Sequence, residues 1–264
     1  MPLLGFGTSP MTGGLSAETV VAALKAGYRH IDTARKYGTE SAVGEAMRAA
    51  GLARADIFLT TKVSHENLRA GEFAKSVEES LAALKVDYVD LLLIHWPNPE
   101  IALSECMPAL ARAKRQGLAR HIGVANFNIA LLDQALELCP EPLVALQAEY
   151  HPFLDQSKLL AAARQRGLIF IAFCPLGRGR LLGDPVLADI AAARGRSVAQ
   201  IALRWLIQQN VAAIPFSSNP QRIADNFKVF EFELSDDEMK RIAALKRPDG
   251  RVANPKGRVP GGWD

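Results

Sequence analysis

Four side chains in this sequence have types that could together move a proton: Asp32, Tyr37, Lys62 and His95. Each lies at or just beyond the end of an apolar run, in YRHIDTARKYG, IFLTTKV and DLLLIHW. Singly, each has an ordinary structural use. Asp32 could cap a helix or pair with a surface arginine, and Lys62 could carry its ammonium to solvent on an apolar stem. His95 could be a hydrogen-bonded core histidine, and Tyr37 a loop aromatic. At the ends of three consecutive strands they make a different object. Neighbouring strands sit ~4.8 Å apart, so three adjacent ends fall within about 10 Å of one another.

An ammonium at Lys62, in partly buried surroundings, needs the counter-charge that Asp32 can supply. The same ammonium is expected to pull the Tyr37 phenol down from its reference of about 10. A phenol so tuned is a general acid for a carbonyl oxygen, and His95 can donate a hydrogen bond to that oxygen. No Ser–His or Cys–His pair accompanies the set as a nucleophile. His30, His65, His95, His121 and His151 fall on separate elements rather than at metal-ligand spacing, so no metal is expected. A proton donor alone needs an external reductant, and a bound nicotinamide is the fitting source of hydride.

Something must hold these groups together, and one unit of sequence recurs that could do it. A helical pattern ends in a basic residue and glycine, and a short aliphatic run follows: Lys25-Ala26-Gly27, Arg115-Gln116-Gly117 and Arg166-Gly167 are the cases. Glycine supplies the left-handed position past a helix end, and the basic residue suits the negative end of the helix dipole. Eight runs predict strands: Leu3–Gly7, Tyr28–Thr33, Ile57–Val63, Tyr88–Trp96, His121–Asn126, Val144–Tyr150, Leu168–Cys174 and Val211–Ser217. Near-continuous apolar runs such as DLLLIHW suit parallel strands buried on both faces. Helical patterns with apolar residues at three- and four-residue spacing lie between them. Eight alternations in this length predict a (β/α)8 TIM barrel rather than an open doubly wound sheet, since no G-x-G-x-x-G follows any strand.

Barrels place their sites at the C-terminal strand ends. There Gln147 offers an amide, Phe173 an aromatic face, and Ser217-Ser218-Asn219-Pro220-Gln221-Arg222 a helix start with Asn219 as cap and Pro220 first. The free N–H groups, two hydroxyls and Arg222 of that start make an anion site, although a plain capped helix reads equally well. Ser235 and Glu238 predict a capping box for a last helix. Residues 247–264, rich in proline and glycine and containing Trp263, predict an irregular tail over the barrel mouth.

Of 264 residues, 49% are hydrophobic and 22% charged, which excludes a disordered chain. Arginine and lysine number 31 against 28 acids, a balance too mild and too dispersed to argue for nucleic acid. No run reaches the ~20 apolar residues of a membrane span, and the N-terminus lacks a secretory pattern. Cys106, Cys139 and Cys174, far apart in apolar surroundings, read as reduced, buried thiols of a cytoplasmic protein. No linker interrupts the chain, so residues 1–264 read as one domain.

HIDTARKYGTE (His30–Glu40), TTKV (Thr60–Val63), LLLIHWP (Leu91–Pro97), GVANF (Gly123–Phe127), LQAEYHP (Leu146–Pro152) and IPFSSNPQRIADN (Ile214–Asn226) resemble, in order and spacing, motifs of the aldo-keto reductase superfamily. The short loops and WD ending look most like its bacterial 2,5-diketo-gluconate reductase B-type members. The resemblance implies a barrel monomer that reduces aldehydes and ketones with NADPH, its catalytic tetrad on Asp32, Tyr37, Lys62 and His95. It implies cofactor contacts at Gly7, Thr8, Asp32, Asn126, Gln147, Phe173, Cys174, Leu176, Ser217, Ser218, Arg222, Asp225 and Asn226. Three positions depart from the family pattern: Ala125 for a serine, Ser9 for an aromatic, and Phe216 for a lysine that would meet a ribose 2′-phosphate. NADH therefore stays open beside NADPH, with Arg222 able to grip the phosphate. Trp96, Trp263 and Phe153 are the expected pocket wall, small and open enough for dicarbonyls or sugar-acid ketones. Two other readings stand beside the reductase: a Schiff-base aldolase using Lys62, which a paired ammonium disfavours, and a cofactor-sensing subunit without turnover.

Overall fold

The computed structural model describes residues 1–9 and 16–264. Its strands are β1 (Phe6–Gly7), β2 (His30–Asp32), β3 (Phe58–Val63), β4 (Val89–Ile94), β5 (Ala119–Ala125), β6 (Leu143–Glu149), β7 (Ile169–Phe173) and β8 (Ala212–Ala213). All pair in parallel and in sequence order. Between β8 and β1 the ring closes through a Leu4–Ala213 bridge and the bonds Gly5 N to Ala213 O, Ala213 N to Leu3 O and Gly7 N to Pro215 O, 2.8–2.9 Å. This is the expected (β/α)8 barrel.

Helices α1 (Ala17–Lys25), α2 (Glu40–Ala49), α3 (Ala70–Leu84), α4 (Leu103–Arg115), α5 (Ile129–Leu138) and α6 (Ser157–Gln165) each follow the like-numbered strand. Two helices, α7 (Pro185–Arg194) and α8 (Val198–Gln208), separate β7 from β8, and α9 (Pro220–Phe227) and α10 (Asp236–Ala243) follow β8. Gly117 and Gly167 take the left-handed positions (φ 76° and 70°) that stop α4 and α6, as their spacing predicts. The Ser235–Glu238 capping box forms at α10. No helix among the described residues is long and apolar enough to cross a membrane.

Both closing strands are shorter than the apolar runs predict. Pro215 has no N–H to extend a ladder from β8, and β1 must pass close to its neighbours. A Cβ at Gly7 would lie 2.8 Å from the Ile214 carbonyl, and one at Gly5 would lie 2.6 Å from the His30 ring.

Two apolar layers hold the barrel. Leu91, Leu93, Ala125, Ala145, Ile171, Ala212 and Ile214 fill its interior. The alternate positions, such as Leu92, Ile94, Val124 and Leu146, join a larger cluster beneath the helices. Lys62 pairs in register with Leu93, Gln147 with Ala125, and Asp32 with Gly7. Side chains alternate along a strand, so these polar residues share the inward face of the strands with the interior cluster.

His30, at the start of β2, is fully buried, packs edge-on against Phe58 and lies within hydrogen-bond reach of the Thr60 hydroxyl. Burial lowers its pKa from 6.5 to about 4, outweighing the opposing field of Asp32. A base whose folded pKa lies below its unfolded value binds protons more tightly when unfolded. Its contribution is therefore complete above the unfolded value and is lost as pH falls through that window, by about 1.4 kcal/mol per pH unit. We expect the urea midpoint to fall measurably between pH 7.5 and 5, with His30→Asn flattening the slope. A midpoint constant over that range would contradict a neutral, buried His30.

Candidate active site

The C-terminal strand ends converge on one ion pair. Lys62 is 0% exposed and Asp32 is 1% exposed. The Lys62 Nζ donates to Asp32 Oδ1 at 2.5 Å and to the Thr33 carbonyl at 2.8 Å. The second carboxylate oxygen accepts from Gln147 Nε2 at 2.8 Å, a contact spanning the barrel from β6 to β2. The Asp32 carbonyl is held by the N–H and hydroxyl of Thr8. Charges removed from water persist only when opposed and hydrogen-bonded, and here both conditions are met.

Tyr37 sits on a 3-10 turn (Arg35–Tyr37) directly after β2. Its ring meets His95 edge-on with centroids 5.3 Å apart, and its Oη lies 3.4 Å from His95 Nε2. The Lys62 ammonium is 5.1 Å from the Tyr37 ring centre. The structure thus brings together all four residues singled out at the strand ends.

Burial is the largest influence on Tyr37, Lys62 and His95. It pushes the Tyr37 phenol up, and the Lys62 charge opposes it without reversing it. This corrects the expectation of a phenol brought below its ordinary value, because the ring has lost more solvation than one nearby ammonium restores. Burial alone would lower Lys62, but Asp32 and then Tyr37 raise it above its ordinary value. Burial, then the Lys62 charge, hold His95 well below 6.5, so its imidazole is neutral. Its Nδ1 is buried without a partner. Protonating that nitrogen would strand a donor, which puts the proton on Nε2, facing Tyr37.

Beside this cluster Asn126, the residue after β5, has a left-handed backbone (φ 64°). Its Nδ2 donates to the His95 carbonyl at 2.8 Å, and its Oδ1 is buried without a partner. An orphaned acceptor of this kind matches the amide hydrogens of a carboxamide. Gln147 is less free than its position implies, because one hydrogen of its amide nitrogen serves Asp32, leaving its carbonyl and one N–H for a ligand. Phe173, half-buried at the end of β7, packs against the interior cluster. Cys174 follows with φ 47°, and Leu176 packs on the outer cluster. The three cysteines are free, Cys106 buried as expected, but Cys139 and Cys174 only half so.

The helix start after β8 also differs from expectation. Asn219 caps α9 by accepting from Gln221 N and Arg222 N, and its own N–H goes to Ser217 Oγ. With Ile223 N bonded to the Asn219 carbonyl and Pro220 lacking an N–H, the first-turn donors are engaged internally. What remains for an anion is hydroxyls and the exposed Arg222 guanidinium, which has no side-chain partner among the described residues. Asp225 is held by Gln221 and Lys228, and Asn226 is buried. Phe216 packs on Phe6, 6.0 Å between ring centres.

Trp96 and Trp263 meet edge-on with centres 6.1 Å apart, so the tail does lie over the mouth. Phe153 is 2% exposed, beneath the Arg247 guanidinium, and supports the tail from below. The anchors of the tail are residues that sequence reasoning passed over. The Glu149 carboxylate accepts from Val252 N and Ala253 N at 2.6 and 2.7 Å, and from His151 at 3.0 Å. These bonds hold its carboxyl below the ordinary range against burial, which raises it. Asn128 donates to the carbonyls of Pro260 and Gly262, and the Asp264 side chain accepts from Ile129 N. A signal for Glu149 existed: it stands two residues beyond Gln147, on the same inward face of β6.

The sequence profile described as the Aldo/keto reductase family matches residues 3–247. Methylglyoxal reductase DkgB of Escherichia coli O157:H7 is 38% identical over 267 residues, covering 100% of this chain and 99% of that protein. Morphine 6-dehydrogenase of Pseudomonas putida is 40% identical over 259 residues, covering 93% of this chain and 88% of that protein. A crystal structure provisionally described as 2,5-diketo-D-gluconic acid reductase B aligns with a TM-score of 0.95 and 42% identity, covering 100% and 94% of the two chains. With the barrel, the buried ion pair and the tyrosine beside it already in place, these matches identify the chain as a member of the aldo/keto reductase family, an NAD(P)H-dependent oxidoreductase.

Proposed function

We propose that this protein reduces small aldehydes and ketones to alcohols with NADPH, Tyr37 being the proton donor. The observation that carries this reading is the Lys62 ammonium, closed between Asp32 and Thr33 and 5.1 Å from the Tyr37 ring. A bound nicotinamide supplies hydride to the carbonyl carbon. The Tyr37 hydroxyl gives its proton to the carbonyl oxygen, and the phenolate left behind is stabilised by Lys62. A raised phenol pKa keeps that proton in place at neutral pH until charge develops on the oxygen. The lysine then acts on the product of transfer more than on the resting acid, which is the useful direction for catalysis. Neutral His95 places its Nε2–H where it can hold the same oxygen. Ionised Asp32 keeps Lys62 a cation, which disfavours an aldolase needing a neutral amine.

Asn126 Oδ1, the Gln147 carbonyl and the face of Phe173 are the groups we assign to the nicotinamide. Gly7, Thr8, Cys174, Leu176, Ser217, Ser218, Asp225 and Asn226 are assigned along the rest of the cofactor. NADPH is favoured over NADH because the Arg222 guanidinium is exposed and has no side-chain partner among the described residues. Small dicarbonyls and sugar-acid ketones are the proposed substrates, against Trp96 and Trp263, in keeping with the names of two relatives. We assign the enzyme to the cytoplasm as a single-domain monomer, in keeping with three free cysteines.

Tyr37→Phe should lower kcat for methylglyoxal reduction by about 10²–10⁴-fold while leaving NADPH affinity, read by fluorescence quenching, nearly unchanged. Wild-type turnover in that variant would remove Tyr37 from its role. Arg222→Ala should weaken NADPH by about 10–100-fold, the loss of a charge-assisted contact, and NADH far less. Equal losses for the two cofactors would place the 2′-phosphate elsewhere.

A further inference from the structure

The tail carries a cation that the reduction chemistry does not use. Arg251 is half-buried, and its guanidinium lies over the Trp263 ring at 3.7 Å. Trp263 packs on Trp96, the residue after His95. Arg251 Nη1 is sealed from solvent without an acceptor, and among the described residues the side chain has no ion pair or hydrogen bond.

The nearby acids do not supply one. Glu149 is occupied by Val252 N, Ala253 N and His151, and Asp264 is bonded to Ile129 N. Their charges act on Arg251 only through space. Contact with an indole offsets only part of what a cation loses on leaving water. The guanidinium is therefore short of one anionic partner. It is also fixed in position, because Glu149 clamps the two residues that follow it.

We propose that Arg251 is the specificity determinant for substrates bearing a carboxylate, gripping that group while the carbonyl at the other end of the molecule meets Tyr37. The fork of donors in a guanidinium matches a carboxylate in a way an ammonium does not. Another cation of the catalytic face, Lys36, is already paired with Glu66 at 2.7 Å. This rests on the reductase reading and deepens it by naming the charge of the substrate.

The test compares matched aldehydes in the full-length enzyme with NADPH. The pairs are 4-carboxybenzaldehyde against 4-nitrobenzaldehyde, and succinic semialdehyde against butanal. Arg251→Gln should raise KM for at least one carboxylated aldehyde tenfold or more, with kcat within about twofold and both neutral aldehydes unchanged. Arg251→Lys should recover only part of that KM. Unchanged kinetics with the acids would overturn the assignment. So would an equal loss on acidic and neutral aldehydes, which would make Arg251 a support for Trp263 alone. A wild-type enzyme inert toward all four aldehydes, though it binds NADPH, would overturn the reductase reading itself, and this assignment with it.

Discussion

One buried ion pair organises the catalytic end of the barrel. Lys62 and Asp32 have both left water, and two such charges contribute little net stability even when well paired. Their arrangement is thus better understood through what it positions. Lys62 binds the Thr33 carbonyl as well as Asp32, which fixes the start of the loop carrying Tyr37. Asp32 takes a second hydrogen bond from Gln147 on the far wall, so the pair also ties β6 to β2. Removing either charge would leave the other stranded and release contacts from both sides of the barrel.

Around this pair, burial and the field of Asp32 set the states of three acids and bases. Burial holds the phenol of Tyr37 protonated and the imidazole of His95 neutral, while the field of Asp32 keeps Lys62 charged. Those are the three states a proton donor of this design needs near neutral pH. Under the function proposed above, the phenol retains a proton to give, the imidazole adds no competing charge, and the ammonium waits for a phenolate. An exposed cluster with the same residues would lack this division, because solvent would screen each group from the others.

Much of this could be read from residue order. Strand ends at Asp32, Lys62 and His95 follow from apolar runs, and the parallel pleat then forces alternate residues inward together. Register explains why that reading succeeded: Lys62 sits opposite Leu93, and His95, just past β4, continues the alternation of Leu91 and Leu93. What could not be read depends on contacts distant in sequence. Nothing near Gln147 indicates that its amide serves an aspartate 115 positions away. The helix start at Asn219 looked like an anion site, but Asn219 itself satisfies the donors that an anion would need. The tail contains no periodic pattern, so its anchors on Glu149 and Asn128 emerged only from the fold. Burial of Tyr37 escaped detection for the same reason, since a loop aromatic in sequence carries no mark of how much solvent it will lose.

If Lys62 acts through the conjugate base of Tyr37, the two side chains form one catalytic unit, and a double-mutant cycle on kcat for aldehyde reduction addresses this directly. Groups that act as one unit give non-additive losses. With Tyr37→Phe, Lys62→Met and the double variant all shown to be folded by circular dichroism, the double variant should turn over about as slowly as Tyr37→Phe alone. Losses that multiply would mean that the ammonium acts independently of the phenol, and would contradict a shared role for the two side chains.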